Sequence, residues 1–424
     1  MTETRPESVL YTLYSVIYDA LSIRRQFPIL SKKVGNNTLC YLDSAATSQK
    51  PQCVLDAIID FYTTKNANVN RGVHALSEEA TIAHDAARET VRSFLGAKHA
   101  HEIIFTKNAT EAINLVASSF GSTLKPTDRI ALSILEHHSN IVPWMQLAES
   151  QSIGLDWLPI TDDGYIDTKE TEMILKKGQT KLVAVSGLSN VLGTRQPLEE
   201  IIRIAHQNGA VVLVDASQLA AHEMIDVQKL ECDFLAFSGH KTYGPTGIGV
   251  LFGKAELLKK MPPFLGGGDM IQTITTERFT PAELPRKFEA GTVAAADAAG
   301  LGAALQWMKS ASMKAMQKHE ASLITHALTS LKKIKGLKIL GTTDPEKRIG
   351  CVSFIIEGIH PHDLTDVMGK EGVCLRAGHH CTQPLHKLLG IPASTRLSVA
   401  AYNTVEEIDR CIVSLQKAIS LLQK

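Results

Sequence analysis

The chain has no charge excess: 44 Lys and Arg balance 44 Asp and Glu. No overall positive field argues for nucleic acid or an anionic membrane as partner, although local basic patches stay open. A disulfide framework is also missing. The seven cysteines, Cys40, Cys53, Cys232, Cys351, Cys374, Cys381 and Cys411, are odd in number and irregularly spaced, with no CxxC and no Cys/His zinc pattern. A reducing compartment and no metal centre are the expectation. No stretch reaches the ~18 apolar residues of a membrane span, and no repeat or low-complexity tract is evident. Residues 9–21 are apolar with three tyrosines, but Asp19 lies among them, Glu3 and Glu7 precede them and no small-residue cleavage site follows. A short amphipathic helix is expected there rather than a signal peptide, and the cytoplasm is the expected location.

Apolar residue is plentiful, at 44% of 424, which fills more than one core and predicts two domains. From about residue 40 to 300, short β-branched runs (102–106, 129–134, 182–186, 211–215, 234–238 and 249–252) alternate with helical patterns such as 111–118 and 198–207. That alternation predicts an α/β domain on a mainly parallel sheet. Residues 266–268 and 280–285 read as loops, and 301–331 as helix. The remainder reads as a smaller α+β unit, with strands near 350–356 and at 373–376, a helix near 362–370 and a closing helix from Val405. The expected division is an N-terminal extension over 1–40 whose helix packs on the small domain, a large domain over 41–300 and a small one over 301–424.

The apolar strand Val211-Val-Leu-Val-Asp215 ends in an acid. One βαβ step later, Phe234-Leu-Ala-Phe-Ser238-Gly-His240-Lys241 ends in Ser, His and Lys. Ligands of open α/β sheets sit beyond the carboxyl ends of the strands. An acid and an amine on neighbouring strand ends suit pyridoxal 5′-phosphate (PLP): the amine forms an imine with its aldehyde, and the acid holds a proton on the pyridine nitrogen so that the ring accepts electrons. A free lysine titrates near ~10.4, so a reactive one needs a site that favours its neutral or imine form. Ser238 and His240 flank Lys241 and are candidates for the cofactor phosphate. Singly, Asp215 reads as a helix cap and Lys241 as a solvated loop residue. Together, with Gly239, Gly244, Gly247 and Gly249 admitting close backbone approach, they read as a site.

The run Ser238-Gly-His-Lys-Thr-Tyr-Gly-Pro-Thr-Gly-Ile-Gly249 resembles the PLP-lysine motif of the class V aminotransferase family, and within it the SUF-type (group II, NifS-like) cysteine desulfurases. The resemblance extends from about Arg24 to the C-terminus. It implies the type I PLP-dependent transferase fold, a large and mainly parallel seven-stranded sheet domain plus a smaller α+β domain.

The resemblance also implies roles. In Glu136-His137-His138-Ser-Asn-Ile-Val-Pro-Trp144, His137 matches the imidazole that stacks on the cofactor ring and relays a proton. Asn108-Ala109-Thr110 opens a helix, where free N–H groups bind anions or are simply capped; Ala109 and Thr110 match the phosphate cup. Asp215 and Gln218 match the partners of the pyridine nitrogen and phenolic oxygen, and Asn190 the asparagine near the substrate. Phe288-Glu-Ala-Gly-Thr292 matches a loop that reaches the partner subunit's phosphate site, which implies a homodimer with shared active sites. Val373-Cys-Leu-Arg376-Ala-Gly-His379-His380-Cys381 matches the group II nucleophile segment, with Cys381 as the attacking thiolate. A thiol titrating near ~8.5 needs help to ionise, and His379, His380 and Arg376 are its neighbours. Cys232, Cys351, Cys374 and Cys411 read as core. Arg396 matches the α-carboxylate clamp, with Arg376 and Arg71 as weaker candidates. Asn70, Val293 and Thr382 depart from the family pattern.

The implied activity is conversion of L-cysteine to L-alanine, with the sulfur carried as a Cys381 persulfide to an acceptor protein of the SUF system for iron–sulfur cluster assembly. The alternatives are a selenocysteine lyase acting on L-selenocysteine, another class V lyase or aminotransferase, or a catalytically silent PLP-binding scaffold.

Overall fold

Short aliphatic runs, buried on both sides, build the centre of the molecule. In the computed structural model, which describes residues 18–70 and 72–423, they form one seven-stranded sheet: β1 (Ile103–Thr106), β2 (Arg129–Ser133), β3 (Gly154–Leu158), β4 (Thr180–Ser186), β5 (Val211–Asp215), β6 (Phe234–Ser238) and β7 (Gly249–Gly253). Their order is β1-β7-β6-β5-β4-β2-β3. β7 runs antiparallel to β1 and β6, and every other pairing is parallel. Successive side chains of a strand point to opposite faces, and here each face meets its own core. Val183, Val185, Val212, Val214, Leu235 and Phe237 join one apolar cluster, while Leu182, Ala184, Leu213, Phe234 and Ala236 join the other. This double burial is why the strands read as continuous apolar runs. Arg71 and most of the stretch 9–21 lie outside the described residues.

The second sheet is antiparallel, in the order β8 (Leu337–Ile339), β9 (Cys351–Ile356), β11 (Ser394–Ser398), β10 (Arg376–Gly378). Its core is filled by Leu323, Ile324, Leu328, Leu364, Met368, Ile408 and Leu415 from three helices. Cys40 and Leu42 belong to the same cluster, because Cys40–Tyr41 pairs in parallel with Val373–Cys374.

Three elements differ from expectation. The strand expected at 373–376 is two strands, since the chain leaves Cys40–Tyr41 after Cys374 and enters the four-stranded sheet at Arg376. The helix expected over 301–331 is also two, Ala295–Ser310 and Met313–Leu331, parted at Ser312 with φ 62°. The first buries Leu301, Leu305 and Met308 in the large core, and the second, after Met313 and Met316 in that same core, turns Leu323, Ile324 and Leu328 to the small one. Finally, Phe279–Pro281 is a strand paired with Ile271–Ile274, within what reads as loop.

The helix Ala20–Arg25 lies against residues 401–407: Tyr18 Oη donates to the Ala401 carbonyl at 2.6 Å and Arg24 pairs with Glu407 at 2.9 Å. Among the described residues no helix is long and apolar enough to cross a membrane.

Candidate active site

The carboxyl ends of β1, β5 and β6 open onto one cavity of about 370 Å³. Lys241, Asp215, Ser238, His240, Ala109, Thr110, His137, Asn190, Arg376, Arg396 and Cys381 all line it. Two expected residues do not. Gln218 supports the wall instead, its Nε2 donating to the Ala45 carbonyl at 2.8 Å. Thr292 lines a separate cavity with Lys107, Glu111 and Gly247.

Lys241 closes the turn Gly239–Lys241 that follows β6. Burial pushes its ammonium below the usual lysine range, and the Asp215 carboxylate partly offsets this. The turn is pinned at the His240 carbonyl, which accepts from Ser48 N at 3.0 Å, Thr47 Oγ1 at 3.0 Å, Ser48 Oγ at 3.1 Å and Lys50 Nζ at 3.0 Å. Asp215 is itself fixed by Ser217 N, 2.9 Å from its Oδ1.

Across the cavity, helix Ala109–Ser119 points its N-terminus inward. Asn108 caps it by accepting from Glu111 N at 2.9 Å, and Ser238 Oγ accepts from Ala109 N at 2.8 Å. Gly249 on β7 permits this approach, since a Cβ there would collide with the backbone of Asn108. Gly249→Ala is therefore expected to cost about 1–3 kcal/mol by overpacking, read as a lower melting temperature and faster loss of cofactor. A variant unchanged in both would show that the helix has room to shift.

His137 Nδ1 accepts from Ser139 N at 3.2 Å. A backbone N–H can only donate, so the neutral ring carries its hydrogen on Nε2. Burial and the nearby Lys241 ammonium bring this imidazole down to about 4. The preceding residue, Glu136, is fully buried and pushed up to about 7 by that burial. It accepts from the Ser133 hydroxyl, from Asn140 Nδ2 at 2.6 Å, and from Ser186 N at 2.9 Å and Oγ at 2.8 Å. Sequence reasoning missed this support, although a glutamate immediately before the His-His pair was visible.

At the other end, Arg376 and Arg396 stand opposite one another on β10 and β11. Arg376 donates to both oxygens of Asp43, at 2.6 and 3.3 Å. Arg396 is 3% exposed, gives Nη1 to the Asn190 carbonyl at 3.0 Å and keeps a buried Nε with no hydrogen-bond partner among the described residues. Asp43 was also missed; its signal was an acid directly ahead of the small-residue run Ser44-Ala-Ala-Thr-Ser48.

Cys381 is exposed at the rim. It and His380 are consecutive left-handed residues, at φ 57° and 50°, a conformation rare outside glycine. The turn is held by His138 N donating to the Cys381 carbonyl at 2.8 Å and by Asn190 Nδ2 donating to the His380 carbonyl at 2.9 Å. Asn190 thus spends its amide on this loop. Burial beside Arg396 lowers His380 to about 2, so it is neutral and any help it gives the thiol is as a base rather than as a positive charge.

His240 and His84 are likewise held at about 4, both chiefly by burial. Below an ordinary ~6.5 the unfolded chain binds protons that these four folded imidazoles refuse. Stability is therefore lost as pH falls from about 6.5 toward 4. Glu136 and Glu407, both raised chiefly by burial, work the other way and soften the slope. The melting temperature should fall steadily between those pH values, and His84→Leu should flatten the slope; an unchanged slope would remove His84 from this account.

Residues 40–411 match the protein family described as Aminotransferase class-V. The chain belongs to that family. A probable cysteine desulfurase of Streptomyces coelicolor is 46% identical, over 94% of this chain and 97% of its own. Another, from Halalkalibacterium halodurans, is 47% identical over 94% and 98%. Among solved structures, a cysteine desulfurase from Escherichia coli superposes with a TM-score of 0.88 at 37% identity, covering 96% of this chain and 100% of that one. The apo cysteine desulfurase of Thermococcus onnurineus gives 0.89 at 36% identity, covering 94% and 98%. The architecture is the type I fold of PLP-dependent transferases. The donors of this chain suit that cofactor: an amine held below its usual basicity, a fixed carboxylate one strand away, and a helix N-terminus brought close by a glycine where any side chain would intrude.

Proposed function

We propose that this chain is a PLP-dependent cysteine desulfurase, converting L-cysteine to L-alanine and taking the sulfur onto Cys381. The observation that carries the reading is the exposed Cys381 thiol on the rim of the cavity that also holds Lys241 and Asp215. PLP held on Lys241 supplies an electron sink for the pair released when the substrate α-carbon loses its proton. Asp215 would hold a proton on its ring nitrogen. The N-terminus at Ala109 and Thr110, with Ser238 and a neutral His240, would hold its phosphate. Arg396 offers its unpaired Nε to the α-carboxylate. The Lys241 amine, disfavoured as a cation by burial, takes the α-proton. Cys381 Sγ then attacks the substrate sulfur: an S–S bond forms as the C–S bond breaks, and the pair left on carbon ends, with a proton, as the methyl of alanine. His137 would stack on the ring and relay a proton, its orientation fixed by Ser139 N donating to Nδ1.

The same reading includes a homodimer in which the Thr292 loop completes the partner's phosphate site. It is supported by Thr292 lining a separate cavity rather than the one that holds Lys241, and by exposed Ile59, Tyr62, Leu76 and Ile82. It further includes an acceptor protein of SUF type that collects sulfur for iron–sulfur clusters in the cytoplasm. The test is mass spectrometry of the PLP-loaded enzyme after L-cysteine: the Cys381 peptide gains one sulfur as alanine appears. Sulfur on a different cysteine, or none, overturns the assignment.

A further inference from the structure

We infer that Ser394 and His386 are positioning residues for the nucleophile's base: the Ser394 hydroxyl links His380 in the catalytic cavity to His386 on the wall of the neighbouring groove, so that His380 takes the thiol hydrogen of Cys381 without itself becoming a cation. The inference rests on the reading that Cys381 is the nucleophile.

The hydrogen-bond directions follow from what each atom can do. The Thr382 carbonyl, 3.1 Å from His386 Nδ1, can only accept, and the Thr382 hydroxyl has given its hydrogen to the His379 carbonyl at 2.7 Å. Neutral His386 therefore carries its hydrogen on Nδ1 and leaves Nε2 as an acceptor. Ser394 Oγ lies 3.0 Å from that Nε2 and 2.9 Å from His380 Nε2. Its single hydrogen goes to His386, so His380 Nε2 must donate to Ser394. His380 Nδ1 is then a bare lone pair, buried and without a hydrogen-bond partner among the described residues. His380 and Cys381 line the Lys241 cavity, whereas His386 lines a groove with His138, Met145 and Pro384. Alone, His380 is a poor base, because burial and the nearby Arg396, His386 and Arg376 oppose a cation there. The relay removes that obstacle. The Cys381 S–H bond breaks with its electron pair left on sulfur, and the proton bonds to His380 Nδ1. The Nε2 hydrogen passes to Ser394 Oγ, and the Ser394 hydrogen to His386 Nε2. His380 stays neutral, changing only which nitrogen bears hydrogen, and the positive charge forms on His386. Burial and His379, whose ring centre lies 5.7 Å away, oppose that charge, while the Thr382 carbonyl favours it. Water in the groove then removes the proton.

Single-turnover formation of the Cys381 persulfide is followed by quenching and mass spectrometry of the PLP-loaded enzyme mixed with L-cysteine. At neutral pH Ser394→Ala should be slower by at least about tenfold, short of the ~10²–10⁴ of a whole base because His380 remains. At pH ~9.5, above the ordinary ~8.5 of a thiol, the nucleophile is already ionised and the variant should approach the wild-type rate. Ser394→Thr, which keeps the hydroxyl, should recover most of the loss. His386→Leu removes the far acceptor and should repeat the pH-dependent loss, an arm that stands even if Ser394→Ala fails to fold. A Ser394→Ala rate within about twofold of wild type at neutral pH, or a loss of equal size at both pH values, overturns the inference; the second result would mark a role in packing alone. Absence of persulfide from Cys381 of the wild-type enzyme would instead sink the desulfurase reading, and the relay with it.

Discussion

Lys241→Ala is expected to abolish alanine formation from L-cysteine, a loss of at least about 10³–10⁴-fold, the scale of removing a positioned proton-transfer group. Covalent attachment of the cofactor goes with it, so the visible absorbance of the holoenzyme should be lost or moved. Folding should survive. The ammonium is held below its usual range by burial, so its removal relieves a desolvation cost. The pinned His240 carbonyl keeps the turn in place without the side chain. Turnover above about one per cent of wild type would place the proton transfer elsewhere.

Cys381→Ala is expected to separate the cofactor from the sulfur chemistry. Alanine formation from L-cysteine should drop by about 10³-fold or more, as when a nucleophile is removed, while cofactor absorbance stays at the wild-type level. The thermal midpoint should hold too: the thiol is exposed, and alanine bears the same Cβ in the left-handed conformation at φ 57°. Undiminished turnover by the variant would remove Cys381 from the mechanism. A variant that loses L-cysteine but keeps L-selenocysteine turnover would favour the selenocysteine lyase alternative.

Much of the large sheet is legible because its strands are buried on both faces and read as unbroken apolar runs ending in chemistry: β5 in Asp215, β6 in Ser238. The edge strand β3 is harder to see, since Gly154–Leu158 buries only Leu158 fully and carries Asp156 and an exposed Trp157. The helix break at Ser312 is hidden for another reason. Both flanking helices are apolar on one side, so the period runs through the break while the cores they face change. Within the site, strand ends, the helix start at Asn108 and the Cys381 segment were visible as motifs. What was not visible depends on partners far away in the chain: the four donors on the His240 carbonyl come from residues 47–50, and Asp43 reaches Arg376 across 333 positions. The same holds for His380, whose neutrality follows from burial beside Arg396 and cannot be read from its neighbours in sequence.

Cys381 is reached along the chain through the small sheet, yet its loop is tied at His138 and Asn190, both on the strand-end side of the large unit. The reacting sulfur is thus registered to the frame that carries Lys241. The same loop is joined to the small sheet, where Gly378 pairs opposite Ser394 and His380 Nε2 shares a hydrogen bond with Ser394 Oγ at 2.9 Å. Mechanically the nucleophile's loop is a clasp, fastened on one side to Asn190 and His138 and on the other to Ser394.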